Sequence, residues 1–141
     1  MSLKILYTAQ ATAVGGRNGH TETPDRLISA DLSVPKEMGG PGKPNTTTPE
    51  HLFAAGYAAC FGSAIDYVAK VQKKQIGLVT VTAEVGIGSR DTGGFGLAVT
   101  LRPRIEGASA EDTKALIAEA DKVCPYSQAI RNNVEVKLEV G

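Results

Sequence analysis

Thr47-Thr48-Pro49-Glu50-His51-Leu52-Phe53-Ala54-Ala55-Gly56-Tyr57-Ala58-Ala59-Cys60-Phe61-Gly62-Ser63-Ala64-Ile65 is the stretch on which the fold turns. Its opening is a helix start. A threonine hydroxyl caps the open N–H groups, proline suits the first turn, and Glu50 faces the positive end of the helix dipole. From Leu52 to Ile65 every residue is apolar or small. A helix with no polar face is buried on all sides, and this uncharged run is too short to span a bilayer. The pattern predicts a core helix that runs to about Lys73 and ends before Gly77. One modest sheet and one further helix do not cover such a helix, and the alanines with Gly56 and Gly62 permit another helix to approach closely. The expectation is an obligate homodimer with these helices packed centrally; the alternative is a monomer whose sheet wraps the helix.

Outward from that helix the chain alternates with period two. Ile28, Ala30, Leu32 and Val34 share one face, as do Val79, Val81, Ala83, Val85 and Ile87. Phe95, Leu97, Val99 and Leu101 repeat the pattern, and so do Val134, Val136, Leu138 and Val140. Such alternation marks strands with one face on a core. A weaker strand is expected from Leu3 to about Ala13, and Ser89 to Gly94 reads as a hairpin loop. Ser109-Ala110-Glu111-Asp112 starts a second helix that buries Leu116, Ala120 and Cys124, and Pro125 breaks or restarts it. The fold class is α+β, one domain over 1–141, with antiparallel sheet covering central helices.

At 141 residues the chain is long enough to bury roughly 68–70% of its unfolded surface without staples. Fifteen basic and fifteen acidic side chains cancel. That balance argues against nucleic acid or a membrane surface as partner. Met1-Ser2-Leu3-Lys4-Ile5 lacks a signal-peptide pattern. The expected location is the cytoplasm, where cycling disulfides occur and permanent ones are rare.

Chemistry narrows to the two cysteines, since no other side chain is a good nucleophile at neutral pH. An ordinary thiol, with a pKa near 8.5, is only about 3% thiolate at pH 7. Burial lowers that fraction, so a reactive Cys60 needs a cation beside it. Arg17, in Val14-Gly15-Gly16-Arg17-Asn18-Gly19-His20, is the candidate, with Glu50 to hold its guanidinium. The plain alternatives are a core cysteine and a solvated arginine on an ordinary turn. Ten residues of straight helix put Glu50 about 15 Å from Cys60. Either the helix bends near its start, or Arg17 and Glu50 reach Cys60 across a subunit interface, which the dimer expectation favours. Cys124 is the candidate resolving thiol for an oxidised Cys60. Cys60, Cys124, His20 and His51 show no metal-ligand spacing, so no metal is expected.

Across nearly its whole length the chain resembles the organic hydroperoxide resistance proteins of the Ohr/OsmC family. The resemblance rests on Tyr7-Thr8-Ala9, Gly15-Gly16-Arg17 with Gly19, Gly39-Gly40-Pro41-Gly42, Pro49-Glu50, the run Leu52 to Phe61, and Cys124-Pro125-Tyr126-Ser127 with Ala129. It implies an intertwined α+β homodimer and a thiol-dependent peroxidase with no bound cofactor. By position Cys60 resembles the peroxidatic thiol, Cys124 the resolving one, Arg17 the activating cation and Glu50 its partner. The implied substrate is an organic, fatty-acid-type hydroperoxide, and the implied reductant is dihydrolipoamide or a lipoylated protein. Phe53, Tyr57 and Phe61 would suit an alkyl tail. Thr48, His51, Lys43-Pro44 and Gln128 depart from the common pattern, outside the four proposed catalytic positions. An OsmC-branch peroxidase and a stoichiometric thiol sensor are the alternatives.

Overall fold

The computed structural model describes residues 2–140. They form two compact units, divided in the sequence between Pro49 and Glu50.

The first unit is built on three short strands, β1 (Thr12–Val14), β2 (His20–Glu22) and β3 (Ser29–Asp31), paired antiparallel in that order. The weaker strand expected from Leu3 is a correction: residues 2–11 carry no strand, and only Thr12–Val14 pair. Extended sequence becomes a strand only where another edge accepts its hydrogen bonds, and no ladder involving residues 2–11 is present among the described residues. Arg17 sits in the single helical turn Gly16–Asn18 that joins β1 to β2. Gly15 and Gly16 take φ of 83° and 60°, and a Cβ on Gly19 would lie 1.7 Å from the Val14 carbonyl oxygen. Only glycine fits such a turn. Asn18 Oδ1 then accepts the Val34 N–H at 2.9 Å, which ties the turn to the segment after β3.

His20 begins β2 and is held by carboxylates at both nitrogens: Nδ1 lies 2.7 Å from Asp31 Oδ1 and Nε2 lies 2.9 Å from Glu22 Oε1. Two acceptors call for the imidazolium, which donates from both nitrogens. The Asp31 bond first, then the Glu22 bond, raises the His20 pKa, while His20 lowers that of Glu22. His20's stabilisation is therefore complete below its ordinary value of 6.5 and lost as pH rises through the raised one. Glu22's is present above its ordinary 4.5 and lost as pH falls through the lowered one. The β2–β3 pairing is thus expected to be firmest from pH 4.5 to 6.5. Amide-exchange protection of Thr21 and Ala30, corrected for intrinsic rates, should drop as pH rises from 6.5 through the raised His20 value, and His20→Gln should flatten that drop. An NMR titration of His20 at or below 6.5 would count against the clasp.

The second unit opens with α1 (Pro49–Val71), followed by β4 (Val79–Ser89), β5 (Phe95–Ile105), α2 (Ala110–Val123), α3 (Pro125–Ile130) and β6 (Glu135–Leu138). β4 and β5 pair antiparallel over eleven residues each, from Val79↔Ile105 to Ser89↔Phe95. The tail strand departs from the antiparallel expectation. β6 pairs parallel to β5, with Ala98 opposite Glu135 and Leu101 opposite Leu138. The α2–α3 segment is the reason, because a helical crossover returns the chain to the sheet in its original direction.

One face of α1 (Tyr57, Phe61, Ala64, Ile65, Val68, Ala69) packs in a single core with Val99, Leu101 and Ile105 of β5 and Leu116, Ile117 and Ala120 of α2. α1 is long and apolar enough to cross a bilayer by length and composition only, and this face is the centre of the unit's own core. The opposite face, with His51, Ala55, Ala59 and Ser63, is exposed. The single chain therefore covers only part of a helix whose sequence asks for cover all round. α2 begins as its sequence requires: Ser109 Oγ accepts the Asp112 N–H at 3.0 Å.

Candidate active site

Both cysteines lie in the second unit, and the fold brings them together. Cys60 stands on the core-facing side of α1, one turn beyond Tyr57 and Gly56. Cys124 stands between helices: its N–H donates to Ala120 O at 2.9 Å, ending α2, and its carbonyl accepts the Gln128 N–H at 3.0 Å, inside α3. Pro125 imposes this break. It cannot continue α2 but suits the first position of α3, and it keeps Cys124 extended at φ −65°, ψ 119°. The result is a sulfur–sulfur distance of 3.4 Å between residues 64 apart in sequence. Both are free thiols.

Their exposures differ. Cys124 is fully buried, whereas Cys60 is half-buried. A reagent from solution therefore meets Cys60 first. Burial pushes the Cys60 thiol up; the Tyr126 backbone opposes this, and Cys124 adds to the rise. Within its own unit, then, Cys60 is poised by geometry but not acidified, since desolvation outweighs the one backbone contact that favours the thiolate.

Around the thiols lies a group of aromatic rings. Phe53 and Tyr126 stack with ring centres 6.0 Å apart and planes 7° apart, and Tyr57 tilts against each of them. Gly56 makes the room, because a Cβ there would come within 3.3 Å of the Tyr126 ring. Tyr57 and Phe61 have no exposed surface and belong to the core, while Phe53 is part-buried and Tyr126 is 41% exposed. Behind the rings, the Tyr57 hydroxyl and Ser127 Oγ share a buried hydrogen bond of 2.6 Å.

Of the four catalytic residues expected from sequence, Cys60 and Cys124 are thus in contact. Arg17 is part-buried on its glycine turn in the first unit, and Glu50 is part-buried in the first turn of α1; both have interaction partners. α1 is helical without interruption from Glu50 to Cys60, which keeps these two about 15 Å apart on one helix. Tyr126 and Ser127 were not singled out by sequence reasoning, although they lie in the quoted motif. The available signal was proline after Cys124, which turns the next residues into a short helix aimed back at α1. Among the described residues no three His, Cys, Asp or Glu side chains are grouped to hold a metal.

Comparison with known proteins agrees with this architecture. Residues 40–139 match the family model for OsmC-like proteins. The chain is 47% identical to an organic hydroperoxide resistance protein of Xanthomonas axonopodis pv. citri, over 98% of this chain and 96% of that one. It is 42% identical to the organic hydroperoxide resistance protein OhrA of Bacillus subtilis, over 96% of each. The crystal structure of an organic hydroperoxide resistance protein from Legionella pneumophila superposes with a TM-score of 0.91 at 53% identity, covering 98% of this chain and 99% of that one. The chain belongs to the Ohr/OsmC family, and within it to the organic hydroperoxide resistance proteins.

Proposed function

We propose that this protein is a thiol peroxidase that reduces organic hydroperoxides to alcohols and is recycled by dihydrolipoyl groups. The observation that carries the reading is the 3.4 Å approach of two free thiols, one reachable from solvent and one buried. The Cys60 thiolate attacks the distal oxygen of the hydroperoxide. The O–O bond breaks, the alkoxide takes a proton and leaves as alcohol, and Cys60 becomes a sulfenic acid. The Cys124 thiolate then attacks the Cys60 sulfur. The S–O bond breaks, hydroxide takes a proton and leaves as water, and a disulfide remains. A dithiol reopens that disulfide by two exchange steps and is itself oxidised to a cyclic disulfide.

In this reading Arg17 supplies the positive charge that burial makes necessary at Cys60, and Glu50 orients the guanidinium. The exposed small-residue face of α1 supports a homodimer, through which Arg17 and Glu50 of one subunit would serve the thiol of the other. Apolar surface from Phe53, with Tyr57 and Phe61 behind it, suits an alkyl chain better than hydrogen peroxide.

The test is consumption of cumene hydroperoxide with dihydrolipoamide, thioredoxin or glutathione supplied separately. Sustained turnover with dihydrolipoamide and little with the others is expected. A single burst of one equivalent per Cys60 with every reductant would instead identify a stoichiometric sensor.

A further inference from the structure

Of the contacts that join α1 to the segment after α2, two are side-chain pairs spaced alike. Tyr57 stands three residues before Cys60, and Ser127 three residues after Cys124. The thiols approach to 3.4 Å and the two hydroxyls to 2.6 Å, so the pairs form two rungs between the same elements. The second rung is the firmer. It is an O–H···O bond of short length between residues that are 0% and 3% exposed. α3 has only six residues; Gln128 donating to the Lys122 carbonyl and Arg131 bonding Asp121 tie it back to α2, and Tyr126 stacks on Phe53, while the Tyr57–Ser127 bond is the buried hydroxyl contact that ties it to α1. Burial also pushes the Tyr57 hydroxyl up, which keeps it protonated throughout the physiological range, and either hydroxyl can donate to the other.

We propose that the Tyr57–Ser127 hydrogen bond is a positioning brace for disulfide closure. It holds the backbone around Cys124 against α1, so that the sulfurs pass from 3.4 Å to bond length by side-chain rotation alone. The inference rests on the Cys60–Cys124 chemistry proposed above, but the brace acts on the thiol pair whatever oxidises it. Neither hydroxyl touches the reacting atoms; the brace works by raising the effective concentration of one thiol at the other. Losing a buried hydrogen bond and stranding one partner corresponds to about tenfold in such an equilibrium.

The experiment uses Ser127→Ala and Tyr57→Phe in the full chain, each checked for folding by circular dichroism. After one equivalent of cumene hydroperoxide, Ser127→Ala should form the Cys60 sulfenic acid at the normal rate but close the disulfide about tenfold more slowly. Equilibration with dithiothreitol redox buffers, without peroxide, should show a disulfide more easily reduced in both variants. The shift is about 30 mV upward for a tenfold loss. The double variant should be no worse than the poorer single one, because both lose the same bond. Tyr57→Phe removes one oxygen only and serves if Ser127→Ala does not fold. Folded variants with unchanged closure rate and potential would overturn the brace. A potential shift in a protein that does not consume peroxide would establish the brace and overturn the peroxidase reading.

Discussion

Cys60→Ser is expected to reduce hydroperoxide consumption to the background of reductant alone, while leaving the fold intact. The chemistry of the first step explains the size of the effect. A thiolate is a strong nucleophile toward peroxide oxygen, whereas a serine hydroxyl stays protonated at neutral pH without an adjacent base. The remaining thiol does not substitute, because Cys124 is fully buried and a peroxide from solution does not reach it. Serine is close in size to cysteine and the position is half-buried. The thermal midpoint should therefore move little, which separates lost chemistry from lost structure. Cumene hydroperoxide consumption at fixed dihydrolipoamide, beside a thermal melt of each protein, makes the comparison. Wild-type turnover by a folded Cys60→Ser protein would remove Cys60 from the mechanism and leave the 3.4 Å pair as a packing feature.

What the sequence made legible follows from how local each signal is. The alternation in Val79 to Ile87 and Phe95 to Leu101 appears as β4 and β5, because each residue's side of the strand is set by its position alone. Ser109 caps α2 and Pro125 starts α3 for equally local reasons. The direction of β6 was not legible, since alternation is identical in parallel and antiparallel strands. Residues 2–11 carry strand-like sequence, but pairing depends on a neighbouring edge that sequence does not reveal. At the site, Cys60 and Cys124 stood out as a pair because the chain has no third cysteine. Tyr126 and Ser127 did not, because their importance lies in contacts to Cys60, Gly56 and Tyr57 made across helices. The all-round apolar character of the 52–65 segment was legible, yet one chain covers a single face of it, and the exposed Ala55, Ala59 and Ser63 show where cover is lacking.

Cys124→Ser should separate the two halves of the reaction. Its neighbour Cys60 keeps its place on α1 and the Tyr126 backbone contact, so the first equivalent of hydroperoxide should be consumed at close to the normal rate. The sulfenic acid then has no thiol at 3.4 Å to condense with. Under excess peroxide it passes to sulfinic acid, which a dithiol does not reverse. Sustained turnover should fall to the rate at which dihydrolipoamide attacks the sulfenic acid directly, and activity should decay with each cycle. Loss of Cys124 also removes a like-charge, hydrogen-bonding neighbour that raises the Cys60 thiol. The first step in the variant should therefore be no slower, and its pH profile should move to lower pH. Mass spectrometry after graded additions of cumene hydroperoxide reads the outcome. The wild type should lose two hydrogens on forming the disulfide, whereas the variant should gain first one oxygen and then a second. A variant that turns over indefinitely at the wild-type rate, with no gain of oxygen, would show that the buried thiol resolves nothing. The same series distinguishes Cys124 from the brace beside it: Ser127→Ala slows closure, but only Cys124→Ser makes it impossible.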